Sequence, residues 1–274
     1  MTNSNYIDIH AHLTHPKFAQ DVDRVIQNAA IAGVSHIVVN GLEPVSNRQV
    51  IALAEKYHIV KPALGIYPID AVNAQVQGQL PFEVAEFDVD EEIEFIRIQA
   101  KAGAICAIGE CGLDGYWVGD ETFAEQERVF LALAEVAVDN DLPLIIHTRK
   151  LEARSMEILR YHKIERVNFH CYGSKVKMAL KAANEDGWWF SIPANARKDG
   201  AFTKMLKELP TEKILTETDC PYLAPERGQR SEPKDVVTTV SYLAELRGWD
   251  EEEAKQMVWN NFVTFMADNP GVNF

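Results

Sequence analysis

The sequence predicts a single-domain α/β protein of the TIM (β/α)8 barrel class, with two extra helices at the C-terminus. Three observations support this prediction. Eight short apolar segments alternate with segments whose apolar residues recur at helical spacing. Several of the short segments are almost continuously apolar, as in parallel strands that are covered by helices. The length of 274 residues is typical of one such barrel.

The predicted elements follow one another in a regular order. The strands are YIDIHAH, SHIVVNG, IVKPALGIYP, AICAIGE, LPLIIHT, RVNFHCYG, WWFSIP and KILTETD. The helices between them are FAQDVDRVIQNAAIAG, PVSNRQVIALAEKYH, EEIEFIRIQAKAG, ETFAEQERVFLALAEVAVDND, LEARSMEILRYHK, SKVKMALKAANEDG and DGAFTKMLKEL. Two more helices, PKDVVTTVSYLAELRG and DEEEAKQMVWNNFVTFMA, close the chain. An open, doubly wound sheet is the alternative, and it would require a strand order that the sequence does not reveal.

One long stretch departs from this alternation. Residues 71–90, AVNAQVQGQLPFEVAEFDVD, follow the third strand and show neither period. Long irregular segments in compact domains are often functional. We expect a rim insertion or a lid within one domain that spans residues 1–274.

Charge and composition limit the partners of the protein. A net charge of −14 disfavours a broad basic surface for nucleic acid, although a small phosphodiester or a DNA end could still be held locally. No apolar run is long enough to span a bilayer, and no signal-peptide pattern opens the chain. The four cysteines are scattered without metal-binding or disulfide spacing, so we expect a cytoplasmic protein.

Histidines and acids gather where predicted strands end. The candidates are His10, His12, Glu110, His147, His170 and Asp219, with Glu217 beside the last of them. Catalytic residues of barrels lie at the C-terminal ends of strands. Alternation along the first strand places His10 and His12 on one face, with Asp8 one layer deeper. A lone histidine at such a position is usually structural, but six groups together predict a metal site.

Six protein ligands suit two metal ions better than one. A mononuclear catalytic zinc uses about three protein ligands, and paired ions lie roughly 3.5–4 Å apart. We expect His10, His12 and Asp219 on one ion, His147 and His170 on the other, and Glu110 between them. Imidazole and carboxylate ligands do not distinguish among Zn, Mn, Ni, Fe and Mg. A metal-activated water would attack the substrate, and Asp219 would accept its proton.

The motifs DIHAHL, IGECGLD, IIHTR, FHCYG, TETDCPYLAP and NNFVTF together resemble the TatD family of amidohydrolase-like barrels. The resemblance covers almost the whole chain. It implies a TIM barrel, a divalent two-metal centre and phosphodiester hydrolysis, often as a deoxyribonuclease. It also implies metal-ligand roles for the six residues named above, and a Glu110 bridge in place of the carboxylated lysine of related barrels.

Four departures from the family pattern are expected around the mouth. They are Tyr67 in GIYP where the family has histidine, Ser231 in RSEP, the stretch GYWVGD after GLD, and SIPANARKDG. The resemblance implies that position 67 faces the substrate phosphate, and a tyrosine there can still donate a hydrogen bond. Arg149 could hold a phosphate through two hydrogen bonds, and Asp114 completes the expected substrate-binding set. Arg230 and Lys198 are further candidates.

Three functions stay open at the level of sequence. The first is a TatD-like deoxyribonuclease or phosphodiesterase. The second is a hydrolase of carboxylic esters, lactones or amides on the same metals. The third is a metal-containing interaction protein without activity, and the complete ligand set argues against it.

Overall fold

The computed structural model describes residues 5–267, and its core is one eight-stranded parallel sheet in the order β1 to β8. The strands are β1 (Tyr6–Ala11), β2 (Val34–Asn40), β3 (Val60–Leu64), β4 (Ala107–Asp114), β5 (Leu144–Arg149), β6 (Val167–Phe169), β7 (Trp189–Ile192) and β8 (Ile214–Thr216). The chain after β8 runs beside β1, where Ala11 and Cys220 form a parallel bridge. The sheet therefore closes on itself, and the predicted TIM barrel is confirmed.

Ten α-helices surround the sheet within the described residues. They are α1 (Val22–Ile31), α2 (Pro44–Lys56), α3 (Asn73–Val76), α4 (Val89–Lys101), α5 (Phe123–Asp139), α6 (Glu152–Tyr161), α7 (Val176–Glu185), α8 (Gly200–Glu208), α9 (Val236–Arg247) and α10 (Glu251–Met266). The last two are the predicted C-terminal helices. None of the helices in residues 5–267 has both the length and the apolarity needed to cross a bilayer. Residues 1–4 and 268–274 of the predicted domain lie outside the described part.

Local sequence explains where many helices begin. Asp88, Asp199 and Asp250 each accept hydrogen bonds from backbone N–H groups in the first turn of α4, α8 and α10. An acidic side chain at this position satisfies otherwise unpaired donors and favours the positive end of the helix dipole. The sequence therefore supplies the residue at which each of these three helices begins.

The irregular stretch after β3 forms a small layer on the mouth of the barrel. It contains the single-turn helix α3, and Ile69, Val72 and Val76 bury themselves in an apolar cluster separate from the main core. Val118, from the loop after β4, packs against the same cluster. The stretch is therefore joined to a neighbouring βα loop. Movement of this layer as a lid stays a prediction.

Candidate metal centre

A cavity of about 1240 Å³ opens at the C-terminal ends of the strands. Five of the six predicted ligands border it, and the sixth, His10, is fully buried among them. We call these six residues the ligand cluster: His10, His12, Glu110, His147, His170 and Asp219. The sequence placed them on five different predicted strands, and the barrel brings them to one point. Their ligand roles stay a prediction.

Glu110 lies at the centre of the ligand cluster, with its side chain only 4% exposed. Its Oε2 atom lies 3.2 Å from Nε2 of His10 and 3.3 Å from Nε2 of His12. Its Oε1 atom lies 3.0 Å from Nδ1 of His147 and 3.1 Å from Nε2 of His170. The two carboxylate oxygens therefore divide the four imidazoles into two pairs.

Asp219 approaches the first of these pairs. Its Oδ1 atom lies 3.3 Å from Nε2 of His12 and 3.8 Å from Nε2 of His10. The backbone that carries it is held against β1, since the Asp219 N–H donates to the His10 carbonyl over 2.9 Å. The buried carboxylate of Asp8 fixes the preceding residue by accepting from the Thr218 hydroxyl at 2.6 Å and the Thr218 N–H at 3.0 Å. Asp8 therefore positions Asp219.

The chemistry of these donors fits divalent transition-metal ions. Three subsets each offer three atoms within 4.8 Å of one another: His10 with His12 and Glu110; Glu110 with His147 and His170; and His10 with His170 and Asp219. All the donors are imidazole nitrogens or carboxylate oxygens, which such ions favour. The Nε2 atoms of His10 and His12 lie only 3.1 Å apart, so two imidazoles converge on one point.

Buried charges shift the proton affinities within the ligand cluster. Burial lowers the pKa of His10 to about 4, with the neighbouring His170 acting in the same direction. Burial also disfavours the charged form of His12, but hydrogen bonds to Asp219 and Glu110 outweigh it and raise its pKa to about 10. The pKa of Glu110 lies well below its usual value, because the surrounding imidazoles outweigh its burial. A cation would compete with protons for these atoms.

Three imidazoles also contact groups outside the ligand cluster. Nδ1 of His12 lies 3.2 Å from the backbone oxygen of Asn40, and Nε2 of His147 lies 3.0 Å from Oδ2 of Asp114. Nδ1 of His170 lies 3.8 Å from Oε2 of the fully buried Glu217. The first two are hydrogen bonds of the kind that fix the orientation and tautomer of a metal-binding histidine, whereas the third is a longer contact. Sequence reasoning gave Glu217 no role, although its place after β8 was a signal.

The predicted substrate residues Tyr67 and Asp114 lie beside His147. The Tyr67 ring packs edge-on against His147 with centroids 4.8 Å apart, and its hydroxyl lies 3.4 Å from Oδ2 of Asp114. Burial raises the pKa of Tyr67 far above its usual value, so its hydroxyl keeps its proton. Asp114 is fully buried, and its Oδ1 atom accepts the N–H groups of Tyr116 and Trp117 at 2.7 and 3.0 Å. Contact of Asp114 with a substrate stays a prediction.

Exposed aromatic side chains border the cavity above His147. The guanidinium of Arg149 lies 3.4 Å above the ring of Tyr116 and 5.8 Å from that of Trp117. Phe82, from the stretch after β3, meets Trp117 edge-on with ring centroids 5.1 Å apart. We call these four residues the aromatic rim. Arg149 was predicted from sequence, whereas the three rings gave no periodic signal that could have grouped them.

Other expectations about the mouth are corrected by the structure. Arg230 pairs with Asp21 at 2.8 Å and Lys198 with Glu226 at 3.1 Å, and neither borders the cavity. Ser231 is fully buried, and residues 191–200 also lie away from the cavity lining. The expectation that all four family departures surround the mouth is therefore wrong for these two stretches. The chain after β8 borders the cavity at Asp219 and Tyr222, but RSEP lies beyond them and its Ser231 is buried.

Comparison with known proteins places this geometry in a family context. The family model described as TatD related DNase matches residues 7–267. The human deoxyribonuclease TATDN3 is 28% identical over 93% of this chain and 92% of its own length. The 3'-5' ssDNA/RNA exonuclease TatD of Escherichia coli is 29% identical over 89% of this chain and 92% of its own length. The uncharacterized metal-dependent hydrolase YabD of Bacillus subtilis is 28% identical, covering 93% of this chain and 96% of its own length.

Solved structures give the same picture. The crystal structure of YJJV, a TatD homologue from Escherichia coli, superimposes with a TM-score of 0.82 at 26% identity and covers 96% of this chain and 98% of its own. The phosphotriesterase homology protein of Escherichia coli superimposes with a TM-score of 0.70 at 15% identity, with coverage of 97% and 100%. The second likeness concerns the fold alone.

Proposed function

The chain belongs to the TatD related DNase family of metal-dependent hydrolases, and we propose that it cleaves phosphodiester bonds in small phosphodiesters or at the ends of DNA. The observation that carries the proposal is the position of Glu110, whose two oxygens each face one pair of imidazoles. A shared carboxylate between two sets of ligands is the arrangement that a two-metal hydrolytic site requires.

Within this proposal, each residue of the ligand cluster has a role. His10, His12 and Asp219 would hold one divalent ion, His147 and His170 would hold a second, and Glu110 would be shared. The ions would be Zn, Mn, Ni, Fe or Mg, and when bound they would lower the pKa of water and polarise the phosphoryl oxygen.

Asp219 is the proposed proton acceptor. Its side chain is 15% exposed and borders the cavity, so a water molecule in the cavity can reach it. Burial works against its ionisation, but the hydrogen bond from His12 and the nearby imidazoles of His170 and His10 hold its pKa below the usual value. An ionised carboxylate at this position can take a proton from the attacking water and pass it to the leaving oxygen.

The substrate phosphate would be held beside His147, across the cavity from Asp219. Arg149 can donate two parallel hydrogen bonds to phosphate oxygens, and no carboxylate in the described residues pairs with it. Tyr67 donates a hydrogen bond but carries no charge. A cytoplasmic location stays part of the proposal, and none of the four cysteines, which all lie in the described residues, forms a disulfide.

A rate comparison tests the proposal. The purified full chain is supplied with Mn²⁺, Zn²⁺ or Mg²⁺ and assayed on end-labelled single-stranded DNA, on bis(p-nitrophenyl) phosphate and on p-nitrophenyl acetate. The proposal expects metal-dependent cleavage of both phosphodiesters. The control variant Glu83→Ala removes a carboxylate at the cavity border outside the ligand cluster and should lose little of this activity. Cleavage of the acetate ester alone would favour the carboxylic ester, lactone or amide hydrolase and overturn the proposal.

A further inference from the structure

Exposed apolar side chains concentrate at the barrel mouth. Nine large hydrophobic side chains in residues 5–267 are strongly exposed, and five of them border the cavity: Val45, Phe82, Tyr116, Trp117 and Tyr222. The other four are dispersed over the helices and the barrel exterior. Scattered exposed hydrophobic residues need no explanation, whereas a group around a cavity indicates a binding surface.

Asp114 links two residues of the aromatic rim, Tyr116 and Trp117, to the ligand cluster beneath them. Asp114 accepts the N–H groups of Tyr116 and Trp117 through one oxygen and contacts His147 through the other. Trp117 is in turn braced edge-on by Tyr116 at 4.9 Å and by Phe82 at 5.1 Å between centroids. The rings therefore have a fixed relation to the reacting centre, as residues that position a substrate must.

Arg149 is also held ready for an anion. Its guanidinium stacks on the Tyr116 ring, and within residues 5–267 no carboxylate lies at ion-pair distance from it. Stacking uses the face of the guanidinium and leaves its N–H edge available for a phosphate. A base ring and a phosphate could thus be held side by side, the base by Trp117 and Phe82 and the phosphate by Arg149.

The charges around the cavity favour stacking of bases on aromatic rings as the main source of affinity for nucleic acid. Outside the ligand cluster, the cavity is bordered by four acidic side chains, Glu43, Asp70, Glu83 and Glu152, and by two basic ones, Arg149 and Lys150. With a net charge of −14 on the chain, attraction of the sugar–phosphate backbone is weak. Contact between bases and aromatic rings does not depend on charge, and it requires bases that are not stacked within a duplex.

We propose that Trp117 and Phe82 stack an unpaired base of single-stranded nucleic acid while Tyr116 holds Arg149 against the adjoining phosphate. This inference rests on the proposed function and names the side chains that would hold a base of its substrate. It makes the aromatic rim a specificity-determining surface for chains that carry exposed bases.

Binding measurements test the inference independently of hydrolysis. The probes are fluorescein-labelled oligodeoxythymidylate with phosphorothioate linkages, which slow cleavage, and the same chain with abasic sugars at both ends. Fluorescence anisotropy on the full-length protein should show about tenfold tighter binding of the chain that carries bases. In Trp117→Leu and Phe82→Leu this preference should largely disappear, whereas Tyr161→Leu, which changes an exposed ring far from the cavity, should keep it.

Cleavage is measured on the same two oligonucleotides made with ordinary phosphodiester linkages, and its outcomes separate the two proposals. If the wild-type protein binds and cleaves both oligonucleotides equally well, the stacking surface is contradicted and the phosphodiesterase proposal stands. If it prefers the base-containing chain in binding but cleaves neither, the stacking surface stands and the phosphodiesterase proposal fails. Tyr116→Leu should weaken binding of both oligonucleotides alike, since it releases Arg149, and an unchanged affinity would contradict the role given to that ring.

Discussion

The ligand cluster and the aromatic rim occupy the same cavity but differ in how they are held. The ligand cluster is almost wholly buried, and its groups contact one another across the barrel from five different strands or strand ends. Phe82, Tyr116 and Trp117 are between 36% and 49% exposed and come from loops. The difference indicates that the barrel fixes the reaction, whereas the loops choose the substrate.

Within the described residues, Asp114 is the one side chain whose carboxylate contacts both the ligand cluster and the aromatic rim. Asp114 meets His147 with one oxygen and the backbone of Tyr116 and Trp117 with the other. Changes in the ligand cluster should therefore affect every substrate, and changes at Phe82 or Trp117 should affect only substrates with bases. Changes at Asp114 should affect both regions. The following predictions begin with the largest expected effect.

Glu110→Ala should abolish hydrolysis of every substrate. The change removes the carboxylate shared by the two imidazole pairs, so the ions lose their common ligand. Circular dichroism should still show a folded barrel, and rates should be measured on single-stranded DNA and on a simple phosphodiester. The control is Glu83→Ala, which removes an equal charge from the border of the cavity, outside both the ligand cluster and the aromatic rim. Activity close to wild type in Glu110→Ala would contradict the bridging role.

Asp219→Asn should lower kcat by about 10²–10⁴-fold while part of the metal is retained. Asparagine keeps the shape and one oxygen but cannot accept a proton from water. The measurement is kcat on the two substrates used for Glu110→Ala, together with metal content. A loss confined to single-stranded DNA would place Asp219 among the substrate-binding residues and contradict its role as proton acceptor.

Glu217→Ala should weaken metal binding by about 10–100-fold. The Glu217 carboxylate accepts from the Ser191 hydroxyl at 2.5 Å and from the Cys171 N–H at 2.8 Å, beside Nδ1 of His170. When the carboxylate is removed, the Ser191 hydroxyl and the Cys171 N–H lose their hydrogen-bond acceptor. Glu217→Gln keeps an oxygen acceptor of the same size and should recover most of the affinity. Equal losses in the two variants would indicate that the negative charge matters instead.

The smallest effect is expected at Asp114, where two substitutions distinguish the ligand cluster from the aromatic rim. Asp114→Asn can still accept the backbone N–H groups of Tyr116 and Trp117, but its amide would donate to Nε2 of His147 and place the proton on Nδ1, which faces Glu110. Metal affinity should fall by about tenfold while the preference for base-containing substrates survives. Asp114→Ala should lose both properties. Identical behaviour of the two variants would show that Asp114 does not join the regions.

The sequence predicted the barrel because its strands and helices carry strong local patterns. It predicted the members of the ligand cluster because each lies at the end of a predicted strand, although β4 itself continues past Glu110 to Asp114. Parallel strands share one end, so these residues meet. It did not predict the positioning role of Asp8, whose contact with Thr218 joins residues 210 positions apart. It predicted Arg149 but did not group it with the three rings of the aromatic rim, because Phe82 lies in an irregular stretch and reaches Trp117 only through the fold.

The number of metal ions per chain tests the central claim most directly. The purified full-length protein is saturated with Mn²⁺ or Zn²⁺, freed of excess ion and analysed by native mass spectrometry. The claim that Glu110 joins two sets of ligands predicts two ions per chain. A single ion per chain at saturation would contradict it, even if the protein hydrolyses phosphodiesters.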